Sequence, residues 1–194
     1  MLFSKSDNRL FYGWRIVGAA FLIMLYVGGV VIYGFTAIFE PIAIELCWSY
    51  AQIATAASLR GLETSLLAPL VGILADRIGP RKLIFAGSII LAAGLLLMSR
   101  TTSLVVFYFA FMLIATGLSC CTITVLMTAL ANWFQKRIGL ATGIATSGAG
   151  FGGLLIPIIV LLTDTYDWRL ATGILAIATL GIITPLALIF RHKP

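Results

Sequence analysis

Charged residues are scarce in this sequence: Asp, Glu, Lys and Arg make up 10% of its 194 residues, where a soluble domain carries about a quarter. A soluble fold of this size could not cover its surface with so few. Histidine occurs once, as His192, and cysteine three times. Cys120 and Cys121 lie inside an apolar run and Cys47 near a helix end, which is neither a disulfide framework nor a metal-ligand spacing. No metal and no cofactor are expected. No nucleophile–base set is present, so the chain does not read as an enzyme. The net charge is +6, but no basic face interleaved with aromatics accompanies it, which sets nucleic acid aside.

What the sequence has instead is apolar surface, 61% of residues, in long unbroken runs. Lipid is the solvent such runs fit. Punctuation divides them into six candidate helices at about residues 14–38, 51–74, 83–98, 104–130, 139–162 and 170–190. Twenty residues rising ~1.5 Å each cross a ~30 Å hydrocarbon core, so most of them span it with some tilt. The first ends at Glu40-Pro41 and is too long for a signal-peptide core, so it reads as a retained span. Residues 1–12 read as a tail, 13–190 as the bundle and 191–194 as the C-terminal end.

Lys and Arg set the orientation. Side A, where the N-terminus lies, holds Lys5, Arg9, Arg15, Arg77, Arg81, Lys82, Lys136, Arg137, Arg191 and Lys193, and side B only Arg100 and Arg169. That bias makes side A cytoplasmic, with both termini inside and the protein multi-pass in the plasma (inner) membrane. Trp14 and Trp133 fall at the inner interface, and Trp48, Tyr50, Tyr166 and Trp168 at the outer one, as an aromatic belt.

The two halves of the chain repeat weakly. Pro69 precedes Asp76 as Pro157 precedes Asp164, and the same offset of 88 (157 − 69) maps Arg81 onto Arg169. The matched stretches end on opposite sides of the membrane. The expected fold is an all-α membrane protein of two inverted three-helix repeats.

Gly72-Ile73-Leu74-Ala75-Asp76-Arg77-Ile78-Gly79-Pro80-Arg81-Lys82 fills the tight turn between spans two and three. Gly72 allows a close helix approach, Gly79 a positive φ, and Asp76 with Arg77, Arg81 and Lys82 a charge cluster at the membrane edge. Read blandly, this is a positive-inside loop with an incidental acid. The pattern resembles the G-x-L-x-D-R-x-G-x-R-[KR] loop motif of the major facilitator superfamily. Tyr12-Gly13-Trp14-Arg15, Tyr33-Gly34-Phe35, Phe39, Pro41, Trp48-Ser49, Asn132-Trp133-Phe134, Lys136-Arg137, Gly139, Ala141 and Gly143 resemble its monocarboxylate and oxalate/formate branch. The resemblance covers the chain but supplies only the N-terminal half of the family fold. It implies that Asp76 contacts a helix of a second half and helps hold an outward-open state. Animal monocarboxylate carriers place a lysine in the first span. Here that region reads Ile32-Tyr33-Gly34, so that role does not carry over.

Arg60 and Glu63 are the charges placed deep in the bilayer, Arg60 about 13 Å along span two. At i,i+3 they share a face and can pair. Two readings stand: a site in which Arg60 meets a substrate carboxylate and Glu63 exchanges a proton, or a self-neutralising pair that only holds helices together. Spans one and four line the central cavity in the resembling family, which makes Tyr33, Thr116 and Ser119 candidate site hydroxyls, with Tyr26, Thr122 and Thr124 behind them. All of these hydroxyls can instead bond back to their own helix. Gly148, Gly152, Gly153 and Pro157 in span five read as helix packing, the proline loosening the helix. Gly28, Gly29 and Gly34 do the same for span one. Gly28, Gly29, Thr36, Arg60, Glu63, Thr116, Ser119, Gly148 and Gly152 are expected on one open face that seeks a partner.

The function these readings favour is secondary active transport of small organic anions such as monocarboxylates, as antiporter or symporter. The expected partners are membrane lipid, the anion, and a second copy or separately encoded C-terminal half. A non-transporting interaction subunit or a truncated transporter fragment stays open.

Overall fold

Ser49 and Gln52 fix the start of span two. The Gln52 N–H donates to Ser49 Oγ at 3.3 Å and the Ser49 N–H donates to Gln52 Oε1 at 2.9 Å, a reciprocal cap that satisfies two orphan donors. The structure is a computed structural model and describes residues 4–134 and 137–190, with side chains from Tyr12 onward. The side chains of Lys5 and Arg9, and Lys136, Arg191, His192 and Lys193 altogether, lie outside it.

The described residues form α1 (Ser4–Val27), a π-helical segment (Gly28–Tyr33), α2 (Gly34–Leu46), α3 (Tyr50–Ile78), α4 (Pro80–Ser99), α5 (Leu104–Cys120), α6 (Ile123–Ala131), α7 (Ile138–Phe151), a 3₁₀ turn (Gly152–Leu155), α8 (Ile156–Tyr166) and α9 (Trp168–Ile189). They assemble into six helices long and apolar enough to cross a membrane: Tyr12–Leu46, Tyr50–Ile78, Pro80–Ser99, Leu104–Ala131, Ile138–Tyr166 and Trp168–Ile189.

Several boundaries differ from the sequence expectation for local reasons. Span one runs through Pro41 to Leu46 and stops where Cys47 turns left-handed, φ 53°. Proline removes one donor, and one missing bond near a helix end does not stop a helix. Pro80 is the first residue of span three rather than part of a loop, a position whose N–H needs no partner. Span four is interrupted: Cys121 and Thr122 leave the helix, Thr122 extended at ψ 170°. The Thr-Ile-Thr-Val run that follows is β-branched, which weakens helix propensity there. Span five tightens to the 3₁₀ turn just before Pro157, whose ring crowds the carbonyl of Gly153 four residues back.

Glycines decide the packing. A β-carbon on Gly117 would lie 2.5 Å from Leu91 N, and one on Gly94 2.8 Å from Ile114 N, so spans three and four meet backbone to backbone. Spans one and five do likewise: a β-carbon on Gly28 would lie 2.9 Å from the Ala149 carbonyl oxygen, and one on Gly29 2.6 Å from that of Gly152. Tyr26 joins span one to span six, donating to the Leu175 carbonyl at 2.7 Å. Tyr12 donates to Ile189 O at 2.7 Å, so spans one and six run antiparallel. Phe35, Phe107 and Phe111 fill the centre, with Phe35 and Phe111 edge to face at 4.8 Å.

The open face is not the expected one. Gly28, Gly29, Gly148 and Gly152 are consumed in the contact between spans one and five, and Ser119 is buried. The open small residues are Ser58, Gly61, Ser65 and Ala68 on span two and Gly139, Gly143, Ser147 and Gly150 on span five. Only 6% of the apolar stretch of span two is buried, against 61% for span one. A helix repeats every 3.6 residues, so one glycine-rich sequence can present two small-residue faces, and only one of them meets span one.

Candidate functional site

Gly28-Gly29 lets span one open into a wide turn, in which the Gly34 N–H reaches back five residues to Gly29 O. Such π turns often mark functional positions. Within it the Val31 carbonyl accepts a hydrogen bond from Arg60 Nη1 at 2.5 Å, so the span-two guanidinium is anchored across the interface. It borders a cavity of about 20 Å³ that Val31, Gly34, Phe35, Phe111 and Thr172 also line, room for about one water.

Arg60 and Glu63 do not pair. Among the described residues the ion pair is between Arg169 and Glu45, at 2.9 Å. Glu63 turns to span four, where the Thr116 hydroxyl donates to its Oε1 at 2.7 Å. The same hydroxyl oxygen lies 3.0 Å from Met112 O on its own helix. Glu63 Oε2 is buried with no hydrogen-bond partner. The two side chains share a face, yet each finds its bond on a different neighbour, and the self-neutralising pair is not formed.

The remaining candidates separate. Tyr33 closes the π segment and is 38% exposed. Ser119 donates back to Ala115 O and Thr122 to Ser119 O, the local bonding that competes with a cavity role. Tyr26 is buried against span six rather than in a cavity. Gly79 has φ 90°, as the turn requires. Asp76, Arg77, Arg81 and Lys82 are all exposed around that turn and form no ion pair with one another. Gly72 and Gly153 face open space, with nothing within 4 Å of a β-carbon.

The sequence reading missed a cluster on side B. Arg169 donates from Nε to Glu45 Oε1 and from Nη1 to Thr101 O at 2.7 Å, and Trp168 Nε1 donates to Glu45 Oε2. The guanidinium carbon sits 4.5 Å over the Trp168 ring. This ties the side B ends of spans one, three and six. Trp168 is buried there within the protein, 1% exposed. The 88-residue offset onto Arg81 was the only signal for it.

Residues 19–194 match the family model described as Major Facilitator Superfamily. The chain belongs to that superfamily. Major facilitator proteins are transporters, not enzymes, and the six-helix bundle corresponds to half of their fold. The relatives it resembles include the fujikurins efflux protein of Gibberella fujikuroi, 35% identical over 76% of this chain and 32% of that protein. Monocarboxylate transporter 13 of Rattus norvegicus is 30% identical over 89% of this chain and 40% of its own length. Monocarboxylate transporter 12 of Homo sapiens is 31% identical over 84% and 32%. The chain thus spans about a third to two fifths of the relatives it matches.

Proposed function

We propose that this chain is one half of a secondary active transporter of small organic anions such as monocarboxylates, working with a second six-helix half. Arg60 supports this most. Its guanidinium spends one N–H on Val31 O and has no carboxylate partner among the described residues. Its other donors suit the two oxygens of a carboxylate. A cation without a counter-ion inside a membrane is costly, so a bound anion lowers its energy. Two of the relatives are named as monocarboxylate transporters, which agrees with that chemistry.

The second half is argued from spans two and five. Lipid tails gain nothing from Ser58, Gly61, Ser65, Gly143 or Gly150, whereas another helix can approach closely over them. A second copy would relate to the first by an axis along the membrane normal, since both insert with the same charge bias. A separately encoded C-terminal half would fill the same face. Both termini are assigned to the cytoplasm. Labelling of a cysteine at Ser6 or His192 by an impermeant reagent outside intact cells, in a background without Cys47, Cys120 and Cys121, would reverse that assignment.

The test is uptake of labelled monocarboxylates into proteoliposomes, with and without a matching second half. Arg60→Lys keeps the charge but loses the forked geometry and should weaken binding; Arg60→Gln should weaken it further. Wild-type uptake by the double variant Arg60→Leu, Glu63→Leu would refute the site. No uptake in any combination would leave a non-transporting subunit.

A further inference from the structure

We propose that an anionic phospholipid of the side A leaflet binds in the groove between spans three and six, its phosphate held by Arg81 and Lys82 and an acyl chain lying along Phe85 and Leu188. These four residues line a groove of about 410 Å³, a volume within the ~300–1,000 Å³ of small-molecule sites. Arg81 and Lys82 precede Phe85 by four and three residues, so both stand about one helical turn nearer side A on the same face of span three. Span six runs the other way, which brings Leu188 to its side A end. One turn deeper, Ser88 Oγ and Thr184 Oγ1 join the two spans at 3.4 Å. The groove thus has two cations at its mouth and an apolar wall below them.

Charge and hydropathy together select the occupant. Arg81 and Lys82 are exposed, and neither forms an ion pair or hydrogen bond among the described residues. Spans three and six contain no Asp or Glu, so the walls supply no counter-charge. Phe85 is 40% exposed and Leu188 52%. A soluble anion would answer the cations and leave this wall uncovered, and an uncharged lipid would cover the wall and leave the cations unanswered. A phosphate head with an acyl tail does both. The guanidinium offers forked donors to phosphate oxygens, and the ammonium adds a point charge. Basic pockets between spans on the cytoplasmic side suit anionic headgroups, and the charge bias assigns side A there.

The groove lies apart from the face left open on spans two and five, so it stays available to lipid when a second half is bound. The loop resemblance gives Asp76 a contact with that half; the ligand assigned to Arg81 and Lys82 is separate from it.

The test reads lipid occupancy rather than uptake, so its failure and that of the transport reading are distinguishable. The chain is purified into nanodiscs holding equal amounts of phosphatidylglycerol and phosphatidylcholine with the same acyl chains, and the lipid retained is identified by native mass spectrometry. Phosphatidylglycerol should be retained in preference. Glycerol phosphate at equal concentration, a head without tails, should not displace it. Arg81→Gln and Lys82→Gln should each weaken retention roughly fivefold, and the double variant roughly 25-fold. Arg81→Lys should fall between the unmutated chain and Arg81→Gln. Arg137→Gln, which removes the same charge at the start of span five, should leave retention unchanged. No preference between the two lipids overturns the proposal, as does displacement by glycerol phosphate. A loss in Arg137→Gln equal to that in Arg81→Gln would also overturn it, because the attraction would then belong to the whole side A surface. The first two comparisons use the unmutated chain, so the test stands even where a variant does not fold.

Discussion

Gly79 and Asp167, 88 residues apart (167 − 79), carry the same backbone: φ 90°, ψ 148° and φ 80°, ψ 149°. Each ends one helix and starts the next. The Gly79 N–H donates to Ala75 O and the Asp167 N–H to Thr163 O, both at 3.1 Å. Their carbonyls accept from Leu83 N and Ala171 N, again 88 apart. The two turns lie at opposite ends of the bundle, so the inverted repeat suggested by Pro69 and Pro157 is realised in the backbone.

This conformation belongs to glycine and costs another residue about 1–3 kcal/mol. Asp167 offsets part of that by accepting the Trp168 N–H on Oδ1 at 2.7 Å. Gly79→Ala should therefore destabilise the chain by about 1–3 kcal/mol. Asp167→Ala, which keeps the strain and loses the cap, should be worse than Asp167→Gly. Thermal unfolding in detergent followed by circular dichroism checks the order, and equal stability of the two Asp167 variants would contradict it.

Span five offers a contrast within one helix. Gly152→Ala would drive a methyl into the backbone of Gly29 and should cost about 1–3 kcal/mol as overpacking. Gly143→Ala and Gly150→Ala meet open space and should leave the isolated chain unchanged or slightly more stable. With a second half present, the same two changes should weaken its association, measurable by co-purification. Unaltered co-purification would mean that this face is not the contact.

Glu45 serves two donors of different worth. Its ion pair with Arg169 is partly exposed, 42% and 26%, and should contribute about 0–1 kcal/mol. Its bond to the buried Trp168 indole matters more, because truncation leaves that N–H unsatisfied at about 1–3 kcal/mol. Glu45→Ala should destabilise more than Glu45→Gln, which keeps an acceptor, in the same unfolding measurement. Identical losses would show that charge, not the indole bond, dominates.

Asp76 is exposed and has no ion-pair partner among the described residues, as expected if its partner is a helix of the second half. Asp76→Asn should abolish uptake at unchanged membrane content when both halves are present, and leave the stability of the chain alone unaltered. Undiminished uptake would sever this loop from the conformational role that family resemblance implies.

Hydropathy and charge are properties of each residue in turn, so the six spans, the side A bias of Lys and Arg, and lipid as solvent follow from the sequence without any contact being known. The positive φ at Gly79 and the loosened helix before Pro157 are equally local, since they follow from one side chain or its absence. What only the tertiary structure decided is which neighbour each helix face meets. Helical spacing puts Arg60 and Glu63 on one side of span two but cannot say that Val31 O stands beside one and Thr116 beside the other. It cannot say that Gly148 and Gly152 are buried by span one while Gly143 and Gly150 are left open, or that Arg169 reaches Glu45 across 124 residues. A helix sets the direction of a side chain about its own axis, whereas the partner in that direction is set by how six helices close-pack.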